Sequence, residues 1–260
     1  AHLKVAKEAV LKGKPVFMEL NVVLDQNYDE VIRLSREKNV FVAPSCTRRF
    51  KDSIRKLKSW IDQGRIGKVL TVNHHWGMNL KDWHPWEDIA DYYVGKRETG
   101  GAREMVAFEL SWLPWLVGKP KMVSGFKSKR SDFHIDIDDV YQFTLVSEEG
   151  VLLNVLIDVL ARPPQKTTVI IGDKGKIIFD EIEGKTTLYE GDSATTTFEE
   201  SGKLKVAGYL STDDKYVKEL EHFLKALEGV VKWDYTLEED KAALQLLEKI
   251  EQSADEKRTI

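Results

Sequence analysis

Closely spaced apolar stretches in the C-terminal half of the chain constrain its fold most strongly. They are separated by short turns, such as Glu149-Gly150 and Glu183-Gly184. Connections this short join antiparallel neighbours. Strands are predicted at 121–129, 139–147, 151–159, 166–172, 175–180, 185–190 and 194–199. The pattern therefore predicts an α+β domain with a large, mainly antiparallel sheet.

The first fifty residues follow a different rhythm. A helix-like stretch at 3–11, an apolar run at 15–19, a helix at 28–38 and a second apolar run at 40–44 alternate there. Such alternation is typical of an α/β unit with parallel strands. Two strands alone do not make a stable sheet, so partner strands are expected from elsewhere. We predict one domain over 1–50 and another over 51–260.

Further helices are predicted in the remainder of the chain. A strand is expected at 68–76, before an aromatic loop. Apolar residues at helical spacing place the helices at 51–63, 102–117, 213–228 and 236–253. The last two can pack back on the first domain.

Composition and charge narrow the class of protein. The 260 residues are 42% hydrophobic and 32% charged, with a formal net charge of -4. A nucleic-acid partner would normally require a basic face, and no apolar run approaches the ~18 residues of a membrane span. Cys46, the single cysteine, cannot form an internal disulfide, which favours a cytoplasmic location.

Charged residues inside the apolar helix predicted at 102–117 are candidate catalytic groups. Arg103, Glu104 and Glu109 interrupt a run of apolar side chains there. Buried charges are costly unless they are paired or functional, and burial can raise a carboxyl pKa until the group acts as a base. We predict Glu104 and Glu109 as catalytic and Arg103 as substrate-binding. The alternative is a salt bridge between Arg103 and a glutamate that holds a loop.

The loop between Gly77 and Gly100 is rich in aromatic residues. Aromatic rings can stack on the apolar face of a sugar, so Trp83 and Tyr92 are predicted to bind substrate and His84 to take part in catalysis. The alternative is an aromatic plug beneath a loop. Arg162 follows a predicted strand and is a further candidate for the substrate site.

Histidines and carboxylates do not form a metal site in the sequence pattern. His74 and His75 are adjacent on a predicted strand, so they point to opposite faces and cannot bind one metal together. Asp136, Asp138 and Asp139 lack the glycine and distal glutamate of a calcium loop. We therefore predict no metal site and interpret these residues as structural.

Five groups of motifs, in order, resemble the Gfo/Idh/MocA oxidoreductases. No single motif is specific to this family. Their order and spacing across nearly the whole chain, taken together, are specific to it. They are His2 with Gly13-Lys14-Pro15-Val16-Phe17-Met18-Glu19, Arg49-Phe50 with Gly64-Arg65-Ile66-Gly67-Lys68-Val69, Gly100-Gly101, Trp115-Leu116-Val117-Gly118-Lys119-Pro120, and Tyr216-Val217-Lys218-Glu219-Leu220 with Phe223-Leu224.

The resemblance implies a fold and an activity. The first domain would be the C-terminal remnant of a Rossmann domain, and the second would bind substrate and mediate assembly. The whole protein would transfer hydride between NAD or NADP and a hydroxyl of a sugar, cyclitol or nucleotide sugar. It would form a homo-oligomer through the open face of the antiparallel sheet, whose strands carry Val151, Leu153, Val155 and Ile157 on one face.

The cofactor site implied by the resemblance is incomplete in these residues. Glu19 and Asn21 occupy the family's Glu-Lys-Pro motif. Arg48 and Arg49 follow the second strand at its C-terminal end, where α/β sheets bind ligands. These four residues are the predicted cofactor contacts. No G-x-G-x-x-G loop occurs in the chain, which argues against cofactor binding by these residues alone.

Two positions depart from the family pattern. Leu20 stands where the family has its motif lysine, and Phe108 stands where the family has its helix histidine. Glu104 takes the position of the family aspartate in the same helix. The alternative to an enzyme is therefore a catalytically degenerate protein of the same fold that binds a sugar-like ligand or serves as a scaffold.

Overall fold

The front of the chain forms a small unit with parallel strands. The computed structural model describes residues 2–198 and 214–260. The first elements are α1 (His2–Leu11), β1 (Val16–Met18), α2 (Tyr28–Glu37) and β2 (Val42–Pro44). β1 and β2 pair in parallel, with Val16 opposite Val42, and form a two-stranded sheet. The predicted alternation of helices and strands is present.

A single eight-stranded sheet dominates the rest of the chain. Its strands run in the spatial order β10-β9-β8-β7-β3-β6-β5-β4, and every neighbouring pair is antiparallel except β3 and β6. The predicted large, mainly antiparallel sheet is confirmed. The strands are β3 (Val69–Gly77), β4 (Pro120–Ser128), β5 (Val140–Ser147), β6 (Leu152–Asp158), β7 (Gln165–Gly172), β8 (Gly175–Asp180), β9 (Lys185–Glu190) and β10 (Ser193–Phe198).

Five further α-helices lie within residues 2–198 and 214–260. They are α3 (Asp52–Asp62), α4 (Gly101–Leu110), α5 (Leu113–Val117), α6 (Asp214–Leu227) and α7 (Leu237–Glu256). The prediction of a single helix at 102–117 is wrong. The first helix, α4, ends at Leu110, and α5 begins after Trp112 with Pro114 in its first turn. Proline has no N–H for a helix interior but fits a first turn. The predicted element ends at residues 199 and 213 lie outside the described residues.

One face of the large sheet is covered by helices. Val151, Leu153, Val155 and Ile157 share this face, as predicted, and are buried. α4 packs on β5 and β6, and α7 packs on β4. The side chains lining the opposite face include Asn73, Gln142, Thr144 and Asn154. An interface on the open face would therefore not use the four predicted apolar residues, which lie on the helix-covered face.

The last two helices form hydrogen bonds with the front unit and the segment that follows it. On α7, Asp240 accepts hydrogen bonds from Tyr28 (2.6 Å) and Asn21 (2.9 Å). On α6, Glu219 accepts from the backbone N–H of Cys46 (2.6 Å) and the hydroxyl of Thr47 (2.7 Å). Within 2–198 and 214–260, no helix is both long and apolar enough to cross a membrane.

Candidate active site

Glu104 lies in the first turn of α4 and is buried, with 6% of its surface exposed. Burial raises the pKa of its carboxyl group to about 7. A hydrogen bond from Tyr93 opposes this shift, and the nearby carboxylate of Glu19 adds to it. The group is therefore close to half ionised at neutral pH, which is the condition that favours a general acid or base.

The aromatic loop forms a continuous stack next to Glu104. The ring of His84 is stacked between Trp86 (5.0 Å between centroids) and Tyr92 (4.8 Å). Tyr92 in turn meets Tyr93 edge to face at 5.8 Å. Because Tyr93 also bonds Glu104, the structure brings three predicted site residues, His84, Tyr92 and Glu104, into one contiguous group.

Three buried polar atoms in this region have no hydrogen-bond partner within the described part of the chain. They are Oε2 of Glu104, the hydroxyl of Tyr92 and Nε1 of Trp83. Buried polar atoms in folded proteins are almost always hydrogen-bonded, so orphaned ones need an explanation. Their common location next to the aromatic stack points to a place where a polar ligand would supply the partners.

Glu109 lies on the same helix but in a different environment. It is 1% exposed and faces Arg48 (Oε1 to Nη2, 3.1 Å) and His74 (Oε2 to Nε2, 3.3 Å), while the indole N–H of Trp112 donates to it. Burial alone would raise its pKa, but Arg48 and His74 outweigh that effect and the pKa is lowered. Glu109 is thus an ionised partner of Arg48 rather than a group ready to accept a proton.

Arg48 also joins Glu109 to the large sheet. Its guanidinium donates two hydrogen bonds to Glu181, at 2.7 and 2.9 Å, and Lys51 contacts the same carboxylate at 3.1 Å. These cations hold the pKa of Glu181 well below its usual range despite burial. The predicted cofactor residue Arg48 is therefore held in an internal ion-pair network.

Arg49 and Asn21 are likewise engaged inside the protein. The Nε of Arg49 donates to the backbone carbonyl of Ser111 at 2.8 Å, and Nη1 lies 3.2 Å from Glu239. The amide of Asn21 donates to Asp240. Their predicted contacts with a cofactor would compete with these bonds.

Glu19 is the predicted cofactor residue that remains accessible. It follows β1 and is exposed, and one carboxylate oxygen accepts from the N–H of Leu20 at 3.0 Å. Its charge acts on Glu104. The end of β1 and the start of α4 therefore face the same region.

Arg103 and Arg162 form ion pairs away from the aromatic stack. Arg103 pairs with Glu251 of α7 at 2.8 Å and donates to the carbonyl of Glu98 at 2.7 Å. This is the salt-bridge alternative left open by the sequence. Arg162 is exposed and pairs with Asp82 at 2.6 Å. Within the described part of the chain, neither arginine forms a hydrogen bond or ion pair with Glu104, so their roles at the substrate site remain predictions.

Sequence reasoning missed two charged residues of this region, Glu181 and Lys166. Glu181 follows β8, and its bond to Arg48 joins residues 133 positions apart. Lys166 lies near the start of β7 and places its ammonium 4.6 Å from the ring centre of Trp76. No local pattern around either residue signals this arrangement, because it depends on strand order in the large sheet.

Residues 54–178 match the family model described as the GFO/IDH/MocA C-terminal domain. This segment, just under half of the chain, is therefore similar to a GFO/IDH/MocA C-terminal domain. Over 121 residues, 45% of the chain, it is also 27% identical to an uncharacterized oxidoreductase of Synechocystis sp.. The matched segment spans 32% of that relative's length.

Solved structures show the same fold over the whole chain. An oxidoreductase from Agrobacterium radiobacter, in complex with NAD+, L-tartaric acid and magnesium, superposes with a TM-score of 0.86 at 13% identity, covering 100% of this chain and 76% of that one. The WlbA dehydrogenase from Bordetella pertussis, in complex with NADH and UDP-GlcNAcA, gives 0.76 at 17%, with 100% and 75% coverage. The aldose-aldose oxidoreductase from Caulobacter crescentus, complexed with glycerol, gives 0.80 at 18%, with 100% and 75% coverage.

The TM-scores show that this chain shares its fold with these structural neighbours. They do not transfer a substrate. The residues that distinguish this chain at the site, Leu20 and Phe108, therefore have to be considered from their own surroundings. Leu20 is 4% exposed, and Phe108 packs against the hydrophobic core.

Proposed function

We propose that this chain is the substrate-binding part of an NAD(P)-dependent oxidoreductase that acts on a hydroxyl of a sugar, cyclitol or nucleotide sugar. The observation that carries the proposal is the set of orphaned polar atoms on Glu104, Tyr92 and Trp83 beside the aromatic stack. A sugar ring offers hydroxyl groups for those atoms and an apolar face for the rings. The matching C-terminal family domain supports the same reading.

Glu104 is the proposed proton acceptor. A carboxyl group with a pKa of about 7 can take the proton from a substrate hydroxyl as the hydroxyl carbon is oxidised, and can return it in reduction. Tyr93 lies close enough to the carboxyl group to influence its pKa. This role would replace that of the family lysine and histidine, whose positions hold Leu20 and Phe108.

The nicotinamide cofactor would supply hydride acceptance or donation when bound. The residues of this chain do not fit its pyrophosphate group, since there is no Gly-rich loop and Asn21, Arg48 and Arg49 are engaged in internal hydrogen bonds. Glu19, exposed at the end of β1, is the residue still open to a nucleotide. The phosphates would therefore have to be bound by residues other than these.

A second candidate function is ligand binding without catalysis. Leu20 and Phe108 can transfer no proton, and both pack into apolar surroundings. A protein that retained Trp83, Tyr92 and the aromatic stack would still bind a sugar-like ligand or act as a scaffold. Activity of the whole protein that depends on Glu104 would exclude this candidate.

The proposal extends to domain division, assembly and location. We propose that residues 1–50 are the remnant of a Rossmann domain, because β1 and β2 pair in parallel and β1 has a free edge. We propose a homo-oligomer formed through the open face of the large sheet. The fully buried thiol of Cys46 agrees with a proposed cytoplasmic location.

The test of the proposed site is the substitution of Trp83. Trp83→Phe keeps an aromatic ring and removes the Nε1 donor, so affinity for myo-inositol or D-glucose should fall about fivefold, the effect of one lost neutral hydrogen bond. Isothermal titration calorimetry measures the affinity. Trp86→Phe is the matched control, because the exposed ring of Trp86 stacks on His84 and its nitrogen is not among the orphaned atoms. Equal affinities for both variants and the unchanged chain would contradict the site.

A further inference from the structure

A group of cations surrounds two carboxylates, the buried Glu109 of α4 and the partly buried Glu181 after β8. We call it the cationic corner, and its members are Arg48, Lys51, Lys166 and Lys215 around Glu109 and Glu181. Arg48, Lys51 and Lys166 each lower the pKa of Glu181, and the same three cations lower the pKa of Lys215. The six groups are therefore close enough to act on one another, and within the described part of the chain four cations face two carboxylates.

Two of the cations already occupy both carboxylates. Arg48 donates twice to Glu181 and lies 3.1 Å from Glu109, and Lys51 lies 3.1 Å from Glu181. Arg48 is 9% exposed, and its Nε atom is buried without a hydrogen-bond partner among the described residues. Both carboxylates are thus already paired with cations, while the Nε–H group of Arg48 has no partner among the described residues.

The other two cations of the corner are Lys166 and Lys215. Among residues 2–198 and 214–260, no ion pair within 4.0 Å is formed by the ammonium of Lys166 or of Lys215. Lys166 instead stands over the ring of Trp76 at 4.6 Å. Burial lowers the pKa of both lysines, that of Lys215 to about 8. A half-buried surplus of positive charge is unfavourable unless an anion compensates it.

The corner adjoins the proposed substrate site through two tryptophans. Trp76, beneath Lys166, meets Trp83 edge to face at 5.8 Å. Trp83 carries one of the orphaned atoms of that site. A ligand bound along the aromatic stack would therefore have one end near Lys166.

We propose that the cationic corner binds an anionic group, a carboxylate or a phosphate, attached to the sugar-like substrate, with Lys166 as the residue that distinguishes acidic from neutral sugars. The proposal rests on the proposed function, because it assigns the charge of the substrate for that site. The compensating anion would pair with Lys166 and Lys215 and accept from the free N–H of Arg48. Ammonium and guanidinium groups are the usual partners of carboxylates and phosphates in proteins.

The experiment compares three ligands that share one ring, D-glucose, D-glucuronate and D-glucose 6-phosphate, by calorimetry at constant ionic strength. The unchanged chain should bind at least one of the two acidic sugars about tenfold more tightly than D-glucose. Lys166→Gln should abolish that preference, and Lys166→Arg should retain it. Lys176→Gln is the control, because Lys176 is an exposed lysine that also lies over a ring, that of Tyr189 at 4.8 Å.

The ligand that gains identifies the anion, a carboxylate if glucuronate binds more tightly and a phosphate if glucose 6-phosphate does. Equal affinity for all three ligands would overturn the proposal, as would a preference that survives in Lys166→Gln. Rescue by Lys166→Arg separates loss of charge from loss of folding. Trp83→Phe tests the proposed function separately. If it weakens all three ligands while Lys166→Gln changes nothing, the substrate site stands and the cationic corner fails. If only Lys166→Gln has an effect, the corner stands and the sugar site fails.

Discussion

At the scale of single residues, two glutamates of one helix show how strongly surroundings decide chemistry. Glu104 and Glu109 are five residues apart on α4, and both are buried. Glu104 faces Tyr93 and the carboxylate of Glu19, and burial raises its pKa to about 7. Glu109 faces Arg48, and its pKa is lowered. Desolvation dominates where no cation is near, and an ion pair dominates where one is.

The raised pKa of Glu104 predicts a pH-dependent stability. A carboxyl group with a higher pKa in the folded state favours unfolding as it ionises, so its destabilising effect grows from about pH 4.5 and is complete above pH 7. Glu104→Gln removes this cost. The unfolding free energy of the variant minus that of the unchanged chain should therefore rise by about 3 kcal/mol between pH 4.5 and pH 8. Urea unfolding at several pH values measures the difference.

Glu109→Gln is the contrasting variant. It leaves the buried guanidinium of Arg48 with one partner fewer, so it should destabilise the protein by about 3 kcal/mol at pH 7. Because the pKa of Glu109 is lowered in the folded state, that loss should shrink as the pH falls below 4.5. The same pH profile for both variants would show that the two carboxyl groups do not differ as described.

At the scale of elements, the position of the final helix, α7, depends on its close packing against β4. Gly125 of β4 lies so near α7 that a Cβ atom there would come 2.4 Å from the backbone oxygen of Ile250. Its N–H also donates to the hydroxyl of Ser253 at 2.9 Å. Helix and strand can approach this closely because the strand has no side chain at the contact.

Gly125→Ala is therefore expected to destabilise the protein. The added methyl group meets backbone atoms that cannot move without shifting α7, and overpacking of this kind costs about 2 kcal/mol. Thermal unfolding followed by circular dichroism measures the loss. Ser124→Ala, an exposed change at the preceding residue, should stay within about 0.5 kcal/mol of the unchanged chain. Unchanged stability of Gly125→Ala would show that α7 is free to move away from β4.

At the scale of the whole molecule, α7 joins the front unit to the large sheet. Its Asp240 is 1% exposed and accepts hydrogen bonds from Asn21, Tyr28 and Tyr235. Burial raises the pKa of Asp240, and the three donors oppose that rise. The helix that packs on β4 near its C-terminus therefore bonds to α2 and the end of β1 near its N-terminus.

Tyr28→Phe should loosen this connection. It removes the 2.6 Å hydrogen bond to Asp240 and leaves the buried carboxyl group with one donor fewer, for an expected loss of about 2 kcal/mol. Denaturant unfolding measures the total loss, and hydrogen exchange of α2 and α7 locates it. Tyr189→Phe, on β9 of the large sheet, is the control and should have little effect. If hydrogen exchange in α2 is as slow in Tyr28→Phe as in the unchanged chain, the role of this bond is contradicted.

Local pattern by itself determined most of the elements. Tight turns, apolar alternation and helical spacing are properties of short segments, so the strands from 120 to 198, the parallel pair at the front and the aromatic loop were predictable. Glu104 and His84 could be selected as candidates in the same way, because a charge inside an apolar run and a histidine among aromatic residues are visible along the chain. The break between α4 and α5 was missed, although Pro114 signals it.

Only the tertiary structure decided how those elements combine. β3 lies in the middle of the large sheet, between β7 and β6, and no local feature of its sequence requires that place. The different ionisation of Glu104 and Glu109 depends on Glu19, Tyr93 and Arg48, none of which lies in α4. The cationic corner joins Arg48 to Glu181 across 133 positions. Burial and Coulomb interactions act through space, whereas periodicity and turn chemistry act along the chain, so the sequence determined the elements and the fold determined the site.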